Sequence, residues 1–150
     1  HISPWGLSWD DENYYLVGYD SEADTLKHYR VDKMLHIQMS DEKREGQEQF
    51  ERLNMADYAK KSFGMFGGKE QKVKLLVKNE LAGVMIDRFG KDIMMIPKEE
   101  KYFTVNVDVH ISNQFLGWVF SLGDGVKIIS PDEVVEQMKR EVERLREQYC

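Results

Sequence analysis

Cationic and aromatic residues in the first third of the chain could bind an anionic ligand that carries a ring. On a strand predicted from Leu26 to Val31, alternation places His28 and Arg30 on one face, and Lys33 follows directly. A neighbouring hairpin strand brings Tyr15 into reach. An aromatic ring beside such cations could stack a nucleotide base and neutralise its phosphate. We call these four residues the Arg30 site.

A second interpretation of the same strand needs no ligand. Asp32 shares the face of Arg30, so the two side chains could form a surface ion pair. From spacing alone, this pairing is favoured over a ligand site. The spacing of the residues leaves both interpretations open.

Catalytic and metal-binding patterns are weak in this sequence. It has no GxSxG, HExxH or Walker motif, and Cys150 is an isolated thiol at the last position. The four histidines show no metal-ligand spacing. We therefore expect no enzyme, no catalytic residue, no metal and no cofactor.

Short strands must position the Arg30 site. The chain up to Met39 alternates in four short runs, which leave room only for hairpins and predict an antiparallel meander. The runs are Trp5–Trp9, Tyr14–Tyr19, Leu26–Val31 and Leu35–Met39. A polar connector, a helical pattern over residues 50–63 and a glycine-rich break at 64–68 follow. We place a domain boundary and a plausible hinge at that break, giving domains 1–64 and 65–150.

The second part follows the order β-α-β-β-α-β with one further helix. Alternation in Val73–Val77 and Phe103–Val109 predicts strands, and the periodicity around Leu81–Phe89 and Phe115–Phe120 predicts helices. This order is the ferredoxin-like sequence of elements, so the overall fold class is α+β. An amphipathic helix after Pro131 completes the chain.

Composition restricts the class of protein. The chain has 150 residues, of which 41% are hydrophobic, enough to bury a core. Its 27 acidic and 21 basic residues give a net charge of -6, which argues against non-specific duplex-DNA binding by this chain. One cysteine excludes an internal disulfide, and no apolar run approaches the ~18 residues of a membrane span. With no signal peptide either, we expect a cytoplasmic protein.

Two signatures resemble the WYL domain. They are Tyr14-Tyr15-Leu16-Val17-Gly18-Tyr19-Asp20 and His28-Tyr29-Arg30-Val31-Asp32-Lys33-Met34, preceded by Ser3-Pro4-Trp5-Gly6-Leu7. The second part, including Phe89-Gly90 and Phe115-Leu116-Gly117-Trp118-Val119, is similar to the C-terminal extension, WCX, that follows WYL domains. Together the resemblance covers nearly the whole chain.

The resemblance implies a regulatory function. WYL proteins are mostly bacterial transcriptional regulators with an N-terminal winged helix-turn-helix that binds duplex DNA. Their WYL domain is an Sm-like or SH3-like small β-barrel thought to sense a ligand, in several members a nucleotide or nucleic acid. The extension has a ferredoxin-like fold and commonly helps dimerisation.

Carried onto this chain, the resemblance gives residue roles. The signature aromatic pair is Tyr14 and Tyr15, and the basic ligand face is His28 and Arg30, with Lys33 where arginine is common. Lysine lacks the bidentate fork of arginine, which weakens planar phosphate recognition at that position. The resemblance favours a pocket at Arg30 over a plain ion pair, and does so modestly for the other three residues.

The chain departs from the family pattern at its start. The helix-turn-helix and the first barrel strands are missing, so we expect a partial barrel whose open edge pairs with a second copy. The expected function is ligand sensing and homodimerisation, with a nucleotide or single-stranded nucleic acid as effector. The alternative is a dimerisation module without a ligand. Duplex DNA would be bound only by the missing part, and no membrane contact is expected.

Overall fold

The computed structural model describes residues 1–10, 12–53, 61, 63 and 68–150. The chain separates into two compact units, His1–Ala59 and Lys60–Cys150. Each unit has its own antiparallel sheet. The predicted hinge at 64–68 lies outside the described residues except for Gly68. The predicted domains 1–64 and 65–150 stay a prediction.

The first unit contains a three-stranded meander. Its strands are β1 (Ile2–Asp10), β2 (Asn13–Asp20) and β3 (Thr25–Arg30), in the order β1-β2-β3. Both pairings are antiparallel, as predicted. Glu12 and Asp24 adopt left-handed backbone in the two turns, with φ of 61° and 48°. These strands therefore form the predicted antiparallel arrangement, and no closed barrel occurs among the residues described.

The predicted fourth strand, Leu35–Met39, is wrong. A 3-10 turn over Val31–Lys33 ends the β3 ladder, and the segment after it belongs to no strand. His36 has a φ of 53°, which interrupts the extended backbone that alternation requires. The three apolar side chains of this segment are exposed: Leu35, Ile37 and Met39.

Helix α1 (Gln47–Arg52) follows and contributes to the first unit. Phe50 of this helix stacks on Trp5, with ring centroids 5.8 Å apart. The Trp5 indole also donates a hydrogen bond to the Glu45 carbonyl, 2.6 Å away. These contacts tie the residues before and within α1 to β1. The predicted helical segment continued to residue 63, but α1 ends at Arg52, and residues 54–60 and 62 lie outside the described residues.

The second unit has the predicted ferredoxin-like topology. Its elements are β4 (Glu70–Lys78), α2 (Ala82–Phe89), β5 (Met95–Lys98), β6 (Tyr102–His110), α3 (Asn113–Ser121), β7 (Val126–Ser130) and α4 (Asp132–Tyr149). The sheet order is β5-β6-β4-β7, and every pairing is antiparallel. Helix α4 is the predicted additional helix.

The core of the second unit forms because the central strands alternate. Val73, Leu75 and Val77 of β4 are fully buried, and Val105 and Val109 of β6 join them. The helices contribute Met85, Phe115, Leu116, Val119 and Val134 to the same cluster. Ser112 caps α3, since its hydroxyl accepts a hydrogen bond from the Phe115 amide, 3.2 Å away.

Candidate functional site

The β2–β3 register brings together three of the four residues predicted for the Arg30 site. Tyr15 is paired with Arg30, and Val17 is paired with His28. Since directly paired residues point to the same side of a sheet, Tyr15, His28 and Arg30 share one face. Lys33 lies beyond the strand, in the 3-10 turn.

Arg30 makes a two-point contact with Asp32. Its Nε donates to Oδ1 at 3.0 Å, and Nη2 donates to Oδ2 at 2.8 Å. Nη2 also donates to the side-chain oxygen of Asn13 at 2.8 Å. The ion pair between Arg30 and Asp32, one of the two interpretations of the sequence, is therefore formed. It is accessible to solvent, because the Arg30 and Asp32 side chains are 39% and 49% exposed. A solute can reach this guanidinium without unfolding the sheet.

The charges around Arg30 are mixed. The hydrogen bond from Arg30 holds the pKa of the Asp32 carboxyl below its usual value. Lys33 Nζ lies 3.8 Å from Asp32 Oδ2 and its side chain is 71% exposed. An anion approaching Arg30 would therefore meet two cations with a carboxylate between them.

The two β2 side chains that follow Tyr15 on this face are not accessible. Val17 is fully buried and Tyr19 is 8% exposed. The Tyr19 hydroxyl donates to Asp24 Oδ1 at 2.6 Å, and this hydrogen bond raises the pKa of the phenol. Tyr19 therefore belongs to the packed interior, and Tyr15 is the ring on this face that adjoins Arg30.

Sequence reasoning missed Asn13 and the Trp9–Tyr14 pair. Asn13 orients the Arg30 guanidinium, as described above. The rings of Trp9 and Tyr14 meet edge to face, with centroids 4.7 Å apart, and are 60% and 56% exposed. Because Tyr14 precedes Tyr15 on the strand, the two tyrosines of the signature lie on opposite faces. Strand alternation in the sequence was enough to predict that Tyr14 and Tyr15 lie on opposite faces.

The described residues show neither a metal-binding cluster nor a membrane-spanning helix. Within the described ranges, no group of three or more His, Cys, Asp or Glu side chains could hold a metal ion. Over the same residues, no helix is long and apolar enough to cross a membrane.

Comparison with known protein families identifies both units. The WCX domain matches residues 69–146, which is half of the chain. The chain belongs to the WCX family. The WYL domain matches residues 1–39, so β1–β3 and the Arg30 site lie in a WYL segment. The two matches together cover both sheets of the chain.

Several solved chains match this one, and a structure among them is similar over most of its length. It is proteasome accessory factor B/C (PafBC) of Arthrobacter aurescens, at 17% identity and a TM-score of 0.42. The match covers 95% of this chain and 22% of that one. No curated protein matches the chain. The ferredoxin-like fold of the WCX domain is assigned from its own sheet order, β5-β6-β4-β7.

Proposed function

We propose that this chain is the effector-sensing region of a transcriptional regulator, and that its effector is a nucleotide or single-stranded nucleic acid bound at the Arg30 site. The effector chemistry common to both sources is a phosphate group next to a base. The observation that supports this site is an accessible arginine fork at the end of β3, with Tyr15 paired to it on β2. A regulator of this kind would act in the cytoplasm, where its DNA lies.

The chemistry of Arg30 fits a phosphate better than an uncharged ligand. A guanidinium presents parallel N–H donors that match two phosphate oxygens, and such charge-assisted pairs are stronger than neutral hydrogen bonds. Asn13 holds one end of this fork in place. Tyr15 offers an aromatic surface beside it, and stacking on such a surface tolerates any base.

Signal transmission would begin at the end of β3. The turn Val31–Lys33 follows Arg30 directly, and the segment after it leads to α1. A ligand that contacts Arg30 and Lys33 would stabilise one arrangement of this turn over another. Such a shift requires a difference in affinity between the two arrangements. In the whole regulator it would change the placement of DNA-binding heads outside this chain.

The direct test is titration of a fluorescent oligothymidylate and of thymidine monophosphate with the chain at low salt. Arg30→Ala should weaken binding roughly tenfold or more, since a hydrogen bond to a charged group contributes about 1.5–3 kcal/mol and ~1.4 kcal/mol is tenfold. Arg30→Lys should lie between the two because it keeps the charge and loses the fork.

Lys27→Ala is the matched control. It removes one positive charge from the same strand, but Lys27 pairs with Asp20 at the opposite end of β3. Its effect should stay within about twofold, because exposed charges interact weakly through solvent. Equal loss in the two variants would reduce the interaction to overall charge, and unchanged binding by Arg30→Ala would remove the site. Tighter binding of the oligonucleotide would indicate a single-stranded nucleic acid as the effector, and tighter binding of the mononucleotide would indicate a nucleotide.

A second candidate function, homodimerisation, is favoured by an exposed apolar surface on the WCX domain. Helix α4 carries apolar residues at alternating spacings of three and four: Val135, Met138, Val142, Leu145 and Tyr149. Val135 and Met138 pack against the core, whereas Val142 is 50% and Tyr149 78% exposed. Phe120 of α3 is 65% exposed and lines a groove with α4. This spacing is typical of a helix that packs against another helix.

A further inference from the structure

We propose that Asp32 is an internal competitor that occupies the Arg30 fork until a phosphate displaces it, and that it thereby determines which anions the site accepts. This inference depends on the proposed function, since it concerns the same site. In the sequence, the Arg30–Asp32 ion pair and a ligand site are alternatives. Here the ion pair has a role in the ligand site.

The geometry of the pair imitates the expected ligand contact. Two oxygens of Asp32 accept from two nitrogens of Arg30, at 3.0 and 2.8 Å. A phosphate would use two oxygens on the same side of the guanidinium. The carboxylate and the phosphate therefore cannot both make this contact, and binding becomes an exchange of one anion for another.

Exchange is feasible because the pair is exposed and one anchor of Arg30 is independent of it. Ion pairs in contact with water contribute little net stability, so opening this pair requires little free energy. The Asn13 side chain accepts from Nη2 at 2.8 Å. That contact can hold the guanidinium in place while Asp32 leaves. Asp32 itself lies in a 3-10 turn of three residues rather than in the β3 ladder.

The competitor also explains how the site could discriminate among anions. Asp32 stays charged because the adjacent Arg30 lowers the pKa of its carboxyl. A ligand with one negative charge has little advantage over a carboxylate that is already in place. A terminal phosphate carries up to two charges and can also attract Lys33, whose Nζ lies 3.8 Å from Asp32. The site should therefore prefer terminal phosphates to simple carboxylates.

The test compares Asp32→Asn with Asp20→Asn, using a 5′-phosphorylated oligothymidylate as the probe and sodium acetate as competitor. Both variants remove one negative charge from a carboxylate paired with a cation of β3, Arg30 or Lys27. Asp32→Asn should bind the probe roughly 3- to 10-fold more tightly, and acetate should compete better, because the internal anion is gone. Asp20→Asn should stay within about twofold of the wild type. Asp32→Glu, which keeps a carboxylate, should remain close to the wild type.

The outcomes separate this inference from the proposed function. If the wild type binds, Arg30→Ala does not, and Asp32→Asn binds no better than the wild type, the competitor role is overturned and the site remains. Equal tightening by Asp20→Asn would also overturn it, since net charge would then explain the effect. Binding by Asp32→Asn alone would support it strongly. Failure of all variants to bind at low salt would remove the proposed function, and this inference with it.

Discussion

Gly46 shows how one residue determines the path of the chain where α1 begins. Its backbone is left-handed, with φ 78° and ψ 21°, at the N-terminus of α1. A Cβ at this position would lie 2.1 Å from Cγ of Tyr19, which is far inside van der Waals contact. Both features require glycine.

Gly46→Ala should therefore destabilise the first unit by about 1–3 kcal/mol, the range for a strained backbone position, with further loss from the clash. Native-state hydrogen exchange of the β2 amides would measure the change. Gly83→Ala in α2 is the control, because a Cβ there meets nothing within 4 Å and should stabilise its helix slightly. Unchanged β2 protection in Gly46→Ala would contradict the assigned packing.

A second prediction at the residue scale concerns His110. Burial lowers the pKa of its imidazole from the ordinary 6.5, Glu70 raises it and Lys61 lowers it further. His110 Nε2 lies 3.9 Å from Glu70 Oε2. The unfolded state then binds a proton more readily, so stability is complete above pH 6.5 and falls as the pH drops through that value.

Urea unfolding above and below that pH, in the wild type and in His110→Gln, isolates the contribution of this histidine. We expect the variant to show the smaller loss of unfolding free energy on acidification, since glutamine does not titrate. Parallel pH profiles for the two proteins would exclude His110 as a source of the dependence.

At the scale of elements, a connector residue completes the core of the WCX domain. Phe63 is 5% exposed, and its ring centroid lies 5.3 Å from that of Phe115 and 5.2 Å from that of Trp118. The guanidinium carbon of Arg88 lies 3.9 Å from the Phe63 centroid. The residue before the glycine-rich break is thus anchored in the second unit.

Phe63→Ala should reduce the unfolding free energy of the WCX domain by about 3–5 kcal/mol, because it leaves a cavity among aromatic rings. Trp118 is the tryptophan of this unit, so its fluorescence in urea reports the transition best in a Trp5→Phe, Trp9→Phe background. Met94→Ala, at a side chain that is 74% exposed, should change little. Equal effects of the two substitutions would argue against a structural role of Phe63.

The strands and helices show what sequence patterns can and cannot predict. Alternation predicted β4 and β6 well because one face of each is buried, and helical periodicity around Phe115–Phe120 predicted α3, whose N-cap is Ser112. Alternation also predicted a strand at Leu35–Met39, where it failed. The pattern describes the side chains of a strand but not whether an edge is available to pair with it. Likewise, spacing placed Arg30 near Asp32 but could not specify the rotamers that join them.

At the scale of the whole molecule, negative charge and exposed apolar surface must be reconciled. A net charge of -6 opposes association of two copies, and apolar contact favours it. On α4 the exposed Val142 lies between Glu141 and Glu143, which already pair with Arg144 and Arg146. The acidic residues next to Val142 are thus neutralised within their own helix. They therefore oppose the pairing of two α4 helices less than the net charge suggests.

We therefore expect the chain to dimerise through α4, and Val142→Glu to shift it to monomers. A carboxylate at this position would be buried without a partner in the dimer, which costs several kcal/mol. Light scattering during size-exclusion chromatography over a range of concentrations would measure the shift. Met94→Glu adds the same charge at an exposed position of the same domain and should leave the dimer intact. A dimer that survives Val142→Glu would exclude α4 as the interface and favour pairing through an outer strand of the WYL segment, β1 or β3. A wild-type chain that stays monomeric at every concentration would exclude both arrangements, and ligand sensing at Arg30 would then have to act within one copy.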